Sequence, residues 1–141
     1  MTDEKPVSTP TTAVSPTWGT GRRKTAVARV RILPGTGQIK INEREMETYF
    51  LTPDQRNAVR EPLVTANSTG NWDVHVNVHG GGVAGQAIAV RLGVARAMIK
   101  VDPACEAALR GAGLLTRDSR IVERKKFGHR KARRRFQFSK R

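Results

Sequence analysis

The residues with the clearest chemical role lie at the C-terminus, where a few phenylalanines stand among many arginines and lysines. Between Arg117 and Arg141 there are twelve basic and two acidic residues, a net charge of +10, whereas the whole chain carries +14. Like charges at this density repel and there is little apolar surface to bury, so this segment does not fold alone. Phosphates would remove the repulsion and release counterions. The pattern therefore predicts a tail that binds RNA.

Phenylalanines within this tail favour RNA as its partner. Phe127, Phe136 and Phe138 stand among the cations, where they can stack on bases or wedge between them. A tail that served only solubility would have no need of aromatic side chains. A nuclear-import signal would be shorter than these 25 residues.

Three consecutive glycines, Gly80, Gly81 and Gly82, join a predicted strand to a predicted helix. The N–H groups and dipole of a helix N-terminus can receive a phosphate. An ATPase loop would end in Gly-Lys-Ser/Thr, but Gln86 follows Gly85. A hydrolase would need Gly-x-Ser-x-Gly, which is absent. A tight connection between strand and helix is favoured, and a backbone contact to an RNA phosphate stays open.

A second glycine motif, Gly19-Thr20-Gly21, precedes Arg22, Arg23 and Lys24. It resembles a phosphate loop only superficially, because no glycine stands immediately before Lys24 and a strand follows, not a helix. The three cations are better interpreted as a basic cluster at the domain edge that contacts phosphates. A solvated charge run is the alternative.

Other reactive side chains suggest no catalysis. His75 and His79 share a strand face without a third ligand at metal spacing. The glutamates at 43, 45 and 47 are no separated acid–base pair. Cys105, between the alanines 104 and 107 of a predicted helix, is interpreted as a small filler. We expect no catalytic residue, no metal, no cofactor and no small-molecule substrate.

The single cysteine fits a reducing compartment. No apolar run approaches the roughly 20 residues that cross a bilayer, and the first residues lack the order of a signal or transit peptide. The sequence therefore predicts a cytoplasmic protein with no membrane partner.

The predicted elements that position these residues begin after a disordered N-terminal extension, residues 1–17. Alternating apolar residues predict a strand over Ala26–Ile32. A Pro34–Gly37 turn and a second strand over Ile39–Ile41 would form a hairpin with it. Residues 43–50 are ambiguous between strand and short helix.

Helices follow. Thr52, Pro53 and Gln55 are typical of a capped helix start, and Pro62 should break or kink that helix. A third strand, Trp72–Val78, precedes a long helix from Ala84 to about Val101. Asp102-Pro103 then starts a short helix that ends at the glycines 111 and 113. Residues 18–116 should thus form an α+β domain, a two-layer sheet with helices packed on one face, with residues 117–141 as an extended basic tail.

Three blocks together resemble the family of small-subunit ribosomal protein nine, of bacterial or organellar type. They are the Gly19–Val30 block, the block from Gly80 to Gln86 with its helix through Ala97, and the Ser139-Lys140-Arg141 ending. The match runs from about Trp18 to Arg141 in order. Each block is weak alone, but the combination is specific.

The resemblance implies a domain like the second domain of ribosomal protein five, bound to ribosomal RNA in the head of the small subunit beside neighbouring head proteins. It also implies that the tail reaches peptidyl-site transfer RNA through Ser139, Lys140 and Arg141. The expected ribosomal RNA contacts are Arg22, Arg23, Lys24, Arg117, Arg120, Arg124, Lys125, Lys126, Arg130, Lys131, Arg133, Arg134 and Arg135.

Two positions depart from the family pattern. Phe136 stands where proline is frequent, and His129 where an aliphatic residue is common. Without the proline the tail is less stiff near its tip, although a phenylalanine can stack instead. The rival interpretations are a nucleic-acid chaperone or DNA-binding protein outside the ribosome, and a small phosphotransfer or hydrolase enzyme that uses the glycine turn.

Overall fold

A computed structural model of the chain describes residues 14–140. Most of the predicted N-terminal extension, residues 1–13, and the predicted transfer RNA contact Arg141 lie outside this range. The fold is mixed α+β, as predicted. Its strands are β1 (Thr17–Arg23), β2 (Ala26–Pro34), β3 (Ile39–Ile41), β4 (Arg44–Glu45) and β5 (Trp72–His79). Its helices are α1 (Met46–Tyr49), α2 (Pro53–Thr65), α3 (Val83–Val101) and α4 (Glu106–Gly111), the last entered through a 3₁₀ turn, Pro103–Cys105.

The five strands form one sheet in the order β1-β2-β5-β3-β4. The predicted hairpin of β2 with β3 is wrong, because β5 lies between them, antiparallel to β2 and parallel to β3. Asp73, at the start of β5, explains the crossover. Its Oδ1 accepts hydrogen bonds from the backbone N–H groups of residues 36, 37 and 38 at 2.9, 2.9 and 3.0 Å. The turn is thereby held across the end of β5.

The actual hairpins are β1–β2 and β3–β4. Strand β1 is missing from the predicted elements, since its Gly19 and Gly21 lack the β-branched side chains that mark a strand. In the β3–β4 turn Asn42 and Glu43 have φ values of 47° and 67°, the paired positive angles that a two-residue turn of twisted strands requires. The ambiguous residues 43–50 therefore contain both a strand, β4, and a short helix, α1.

Helix α2 starts where predicted, with Thr52 at the N-cap and Pro53 first, but the Thr52 side chain makes no capping hydrogen bond. The predicted break at Pro62 is wrong: the helix continues through Thr65. Proline lacks only its own N–H, while its carbonyl still accepts a bond from the N–H of Ala66 at 3.0 Å. The ring is also buried in the core, which offsets the lost hydrogen bond.

Helix α3 forms the centre of the second layer. It packs across β1 and β2, and α2 packs against its side. The inward residues of β2 (Ala26, Ala28, Val30 and Ile32) are at most 1% exposed, while Arg29 and Arg31 between them are exposed. The helices therefore lie on one face of the sheet, as predicted.

Glycines bring α3 unusually close to β1. A Cβ on Gly19 would overlap the carbonyl oxygen of Gly93, and one on Gly21 would overlap that of Ala89. Ala89, Gly93 and Ala97 recur every four residues, so they form one smooth stripe on the helix. This contact explains the glycines that resembled a phosphate loop.

The short helical segment after α3 forms as predicted. Asp102 Oδ1 accepts a hydrogen bond from the Ala104 N–H at 3.1 Å, and Gly113 follows the last helix with φ 72°. Leu114, 2% exposed, is the last fully buried core residue, and Leu115 packs against the core partly buried.

Candidate nucleic-acid interface

The structure brings two parts of the predicted interface together around one carboxylate, Asp118. Arg23, at the end of β1, lies 2.5 Å from Asp118 Oδ2 through its Nη1. Arg120 clasps the same carboxylate through Nε and Nη2, at 3.0 and 2.8 Å from Oδ2. The start of the tail is therefore fastened to the sheet edge by an ion-pair network.

This carboxylate is held ionised by its neighbours. Hydrogen bonds from the Arg120 side chain and backbone, and one from Arg23, keep the pKa of Asp118 well below its ordinary value. The same contacts raise the pKa of Arg120. The Arg23 side chain is 15% exposed, so burial makes its ion pair less sensitive to salt than a surface pair.

Arginines outnumber carboxylates in the pocket beside Asp118. We call it the arginine pocket. It is lined by Arg22, Arg23, Ile88, Arg91, Leu92, Leu114, Thr116, Arg117, Asp118 and Arg120. Arg91 pairs with Glu61 of α2 at 3.0 Å, and Asp118 neutralises one further charge. The remaining guanidinium charge is placed to receive an anionic oxygen, and guanidinium forks suit phosphate.

Lys24 occupies the tip of the β1–β2 turn. Its φ is 52° and its side chain is exposed, and no hydrogen bond or ion pair involves it in the described structure. The predicted cluster thus divides into a half-buried anchor, Arg23, and two exposed cations, Arg22 and Lys24.

The tail carries no helix or strand between residues 112 and 140 apart from an isolated bridge of His129 with Arg135. Arg133 donates two hydrogen bonds to Glu123, from Nη2 to Oε1 at 2.7 Å and from Nε to Oε2 at 3.1 Å. Arg130 N–H donates to the Arg134 carbonyl at 2.7 Å. These contacts fold residues 123–135 into a loop, which we call the tail loop.

Glu123 closes the tail loop electrostatically. The hydrogen bond and charge of Arg133 hold the pKa of Glu123 below its ordinary value, and Lys126 acts in the same direction at 3.7 Å. Asp118 and Glu123 are the only acidic side chains after residue 117, and each is paired with arginine. In the sequence these two carboxylates count only toward the net charge. Because each stands alone among many cations, the sequence could have indicated that each would pair with an arginine.

The aromatic residues of the tail point to solvent. Phe127 and Phe138 are 102% and 83% exposed, and Arg130 lies over the Phe136 ring, 5.5 Å from its centroid. Arg117, Lys125, Lys131, Arg134 and Arg135 are exposed and make no side-chain ion pair in the described part of the chain. Arg124 donates to the Lys125 carbonyl at 3.3 Å. Exposed rings between unpaired cations suit stacked bases between phosphates.

At the tail tip Ser139 and Lys140 are exposed. Arg141, the third residue of this ending, lies outside the described residues.

The glycine turn has a structural role. Gly80 and Gly81 have φ values of 77° and 63°, and a Cβ on Gly80 would meet the Thr25 carbonyl oxygen at 2.5 Å. Gln86, buried on α3, donates to the Gly80 carbonyl at 3.0 Å and accepts from the Tyr49 hydroxyl at 2.6 Å. The tight connection favoured from the sequence is thus present. Gly82 is the helix N-cap and has open space around it, so a phosphate contact there stays a prediction.

Remaining reactive side chains form no catalytic arrangement among residues 14–140. No group of three or more His, Cys, Asp or Glu there is placed to hold a metal ion. Cys105 is buried, burial raises the pKa of its thiol, and the thiol donates to the Asp102 carbonyl at 2.8 Å. Within the described residues no helix has the length and apolar character to cross a membrane.

The chain is similar in sequence to known proteins. Residues 21–141 match the family described as ribosomal protein S9/S16. Among curated relatives, small ribosomal subunit protein uS9 of the bacterium Treponema pallidum subsp. pallidum is 58% identical over 123 residues, covering 87% of this chain and 95% of that protein. The protein of the same name from the Nichols strain of Treponema pallidum matches equally well.

Proposed function

Since the chain belongs to the ribosomal protein S9/S16 family, we propose that it is held in the small-subunit head by ribosomal RNA and contacts peptidyl-site transfer RNA with its tail tip. The family is a structural, non-enzymatic component of the small ribosomal subunit, which works in the cytoplasm. Neighbouring head proteins are its further expected partners. An enzyme that uses the glycine turn is excluded by this membership.

The observation that carries the proposal is that most of the net charge lies in a segment outside the folded domain. Residues 117–141 hold +10 of the net charge of +14 and add little to the core, whose last fully buried residue is Leu114. A segment that is exposed, cationic and aromatic adds nothing to a hydrophobic core, so its contribution is binding. The likeness to the second domain of ribosomal protein five rests on the sequence resemblance.

Within the proposed interface, the residues have different tasks. Arg23 anchors the tail through Asp118, leaving Arg22, Lys24, Arg117 and the outer edge of Arg120 to meet ribosomal RNA phosphates. Further along, the rRNA contacts are Arg124, Lys125, Lys126, Arg130, Lys131, Arg133, Arg134 and Arg135. Ser139, Lys140 and Arg141 would reach the phosphates of transfer RNA.

The test of the tip is a chain with Lys140→Gln and Arg141→Gln. We expect subunits that assemble normally but bind peptidyl-site transfer RNA more weakly. The matched control, Arg60→Gln with Arg110→Gln, removes the same charge from helix residues that pair with Glu47 and Glu106. Equal transfer RNA affinity in both variants would overturn the tip assignment.

The test of ribosomal RNA binding is its salt dependence. With on the order of eight phosphate contacts, the logarithm of the association constant should fall against the logarithm of salt with a slope of roughly −6 to −7. A slope near zero would contradict the electrostatic account. A chaperone outside the ribosome would not sediment with small subunits at moderate salt, whereas this chain should.

A further inference from the structure

The sheet has a face that no helix covers. Register places Trp18 of β1, Arg31 of β2, His75 of β5 and Lys40 of β3 in one row across four strands. Their neighbours along each strand alternate into the core, so this row faces away from the helices. Arg29 stands two residues along β2 on the same side. We call Trp18, Arg29, Arg31, Lys40 and His75 the open face.

The open face is accessible and rigidly supported. Trp18 is 42% exposed, and Arg29, Arg31 and Lys40 are exposed as well. Each stands on a strand whose alternate residues are buried. The cations are therefore presented at fixed spacing, which lowers the entropy cost of binding.

The cations of the open face have no acidic partners. Among residues 14–140, Arg29, Arg31 and Lys40 take part in no ion pair; the salt bridges of that range all lie elsewhere. Arg29 instead lies over the Trp18 ring, 5.4 Å from its centroid. This contact orients the guanidinium without neutralising it.

The carboxylates near this surface are few and peripheral. Asp73, at one end of β5, is occupied by the three backbone N–H groups of the 36–38 turn. Glu45 lies opposite Lys40 on the outer strand, and Glu43 lines the same concavity as Arg31 and Lys40. The part formed by β1 and β2 therefore keeps an uncompensated positive charge.

We propose that the open face is a second RNA-binding surface, which takes the sugar–phosphate backbone of folded RNA against Arg29, Arg31 and Lys40. The inference rests on the proposed function, since the partner is RNA, but the surface is distinct from the tail. Arg31 and Lys40 flank β5 and so stand about 10 Å apart, two strand spacings. A cationic face of this width suits the shallow minor groove of an A-form helix.

The arginines together with Trp18 favour RNA as the partner over an acidic protein or a lipid. Two guanidiniums can each make a two-point contact with phosphate oxygens, and the indole of Trp18 offers a surface for one ribose or base. The apolar residues of this side, Val27 and Leu33, are half-buried and give no insertion point for a membrane. Complementary charge and an aromatic platform thus point to RNA.

The test uses the full chain with Arg29→Gln and Arg31→Gln, compared with the Arg60→Gln and Arg110→Gln control. The ligand is a protein-free transcript of the small-subunit head RNA. We expect affinity to fall on the order of tenfold or more in the open-face variant, with a salt slope shallower by about 1 for each arginine. The control should keep the wild-type affinity and slope, and both variants should keep the wild-type unfolding temperature.

A second measurement follows Trp18 directly. In a Trp72→Phe background Trp18 is the sole tryptophan, and its fluorescence should change on addition of the transcript. Unchanged fluorescence with unchanged affinity of the open-face variant would overturn the inference. If the open-face variant binds the transcript normally but is poorly retained in assembled small subunits, the inference would also be overturned, because the partner of the open face would then be a protein.

A tail variant separates this failure from failure of the proposed function. Arg133→Gln, Arg134→Gln and Arg135→Gln should weaken transcript binding whether or not the open face contributes. If only the tail variant weakens binding, the open-face inference fails alone. If the wild-type chain does not bind the transcript at all, the proposed function fails with it.

Discussion

Single glycines decide how closely this domain packs. Gly21 faces α3 at a point where any side chain would overlap the Ala89 carbonyl, and Gly93 meets Val30 from the helix side. Backbone atoms at such a contact cannot rotate away as a flexible side chain can. The identity of these residues therefore follows from packing, even though their sequence motif suggested phosphate binding.

We expect Gly21→Ala to lower the free energy of unfolding by about 3 kcal/mol, because the methyl group forces β1 and α3 apart. Urea unfolding followed by circular dichroism measures this change. Gly111→Ala is the matched control, since its added methyl meets nothing within 4 Å, and it should leave stability within about 1 kcal/mol. Equal stability of the two variants would show that the strand–helix contact is looser than described.

Asp73 should make the free energy of unfolding depend on pH in the acidic range. Hydrogen bonds from the backbone N–H of Gln38, then those of Thr36 and Gly37, lower the pKa of Asp73 from its ordinary 3.8 against the opposing effect of burial. A carboxyl group with a lowered folded-state pKa stabilises the fold above 3.8, and this contribution is lost as pH falls through the folded-state value.

Asp73→Asn should therefore lower the free energy of unfolding by about 1–2 kcal/mol at pH 7, and the difference from wild type should shrink as pH falls below 4. Thermal unfolding of both chains between pH 7 and pH 2 gives this comparison. A difference that stays constant over the whole range would mean that the charge of the carboxylate is irrelevant to the turn.

At the scale of elements, the sequence predicted best where local pattern and burial agree. Strand β5 and helix α3 form as expected, because the alternation at Val74–Val78 matches one buried face of the sheet and most residues in the middle of α3 are buried. The pairing of β3 could not be predicted, since it depends on Asp73 and on a strand much later in the chain. The helix break predicted at Pro62 was wrong because this proline is kept in the helix by tertiary packing, which the local sequence does not show.

For the candidate RNA interface too, local features could be predicted from the sequence, whereas long-range contacts could not. Charge density along the chain predicted which segment carries the cations, because composition is local information. It could not predict that Asp118 fastens the tail to Arg23, or that Glu123 closes on Arg133 ten residues away, because both contacts depend on the course of a segment without regular structure. The open face also required strand order, which brings β1, β2, β5 and β3 side by side.

The tail loop should limit RNA binding until its ion pair opens. Glu123→Gln removes the partner of Arg133, and we expect RNA affinity to rise severalfold with a salt slope steeper by about 0.7–0.9, one additional phosphate contact. Filter binding at several salt concentrations measures both. Glu106→Gln, which frees Arg110 on α4 with the same change of net charge, should have no effect. A similar gain in both variants would indicate a general charge effect and not opening of the loop.

At the scale of the whole molecule, folding and binding occupy different lengths of chain. The last fully buried core residue is Leu114, whose N–H donates to the Leu109 carbonyl at 3.1 Å. Among residues 14–140, the last ion pair between the tail and the sheet is made by Asp118. Residues 121–141 add a net charge of +9 without a buried apolar side chain in the described part. Most of the RNA affinity should therefore be removable without loss of the fold.

A chain that ends at Arg120 tests this separation. Its net charge is +5, and it retains Leu114 and the Arg23–Asp118–Arg120 network, so its unfolding temperature should stay within a few degrees of the full chain. Its affinity for small-subunit RNA should fall by several orders of magnitude, because most phosphate contacts are gone. Differential scanning calorimetry and filter binding on the same preparation measure the two quantities.

A chain that ends at Ala112 is the matched comparison, because it loses Leu114 as well as the network. It should be less stable than the Arg120 chain by about 2–5 kcal/mol, the cost of an emptied buried leucine site, although both lack residues 121–141. Equal stability of the two shortened chains would place the boundary of the fold before Leu114. Retention of full RNA affinity by the Arg120 chain would instead move the RNA interface onto the domain, and the open face of the sheet would be the surface that accounts for it.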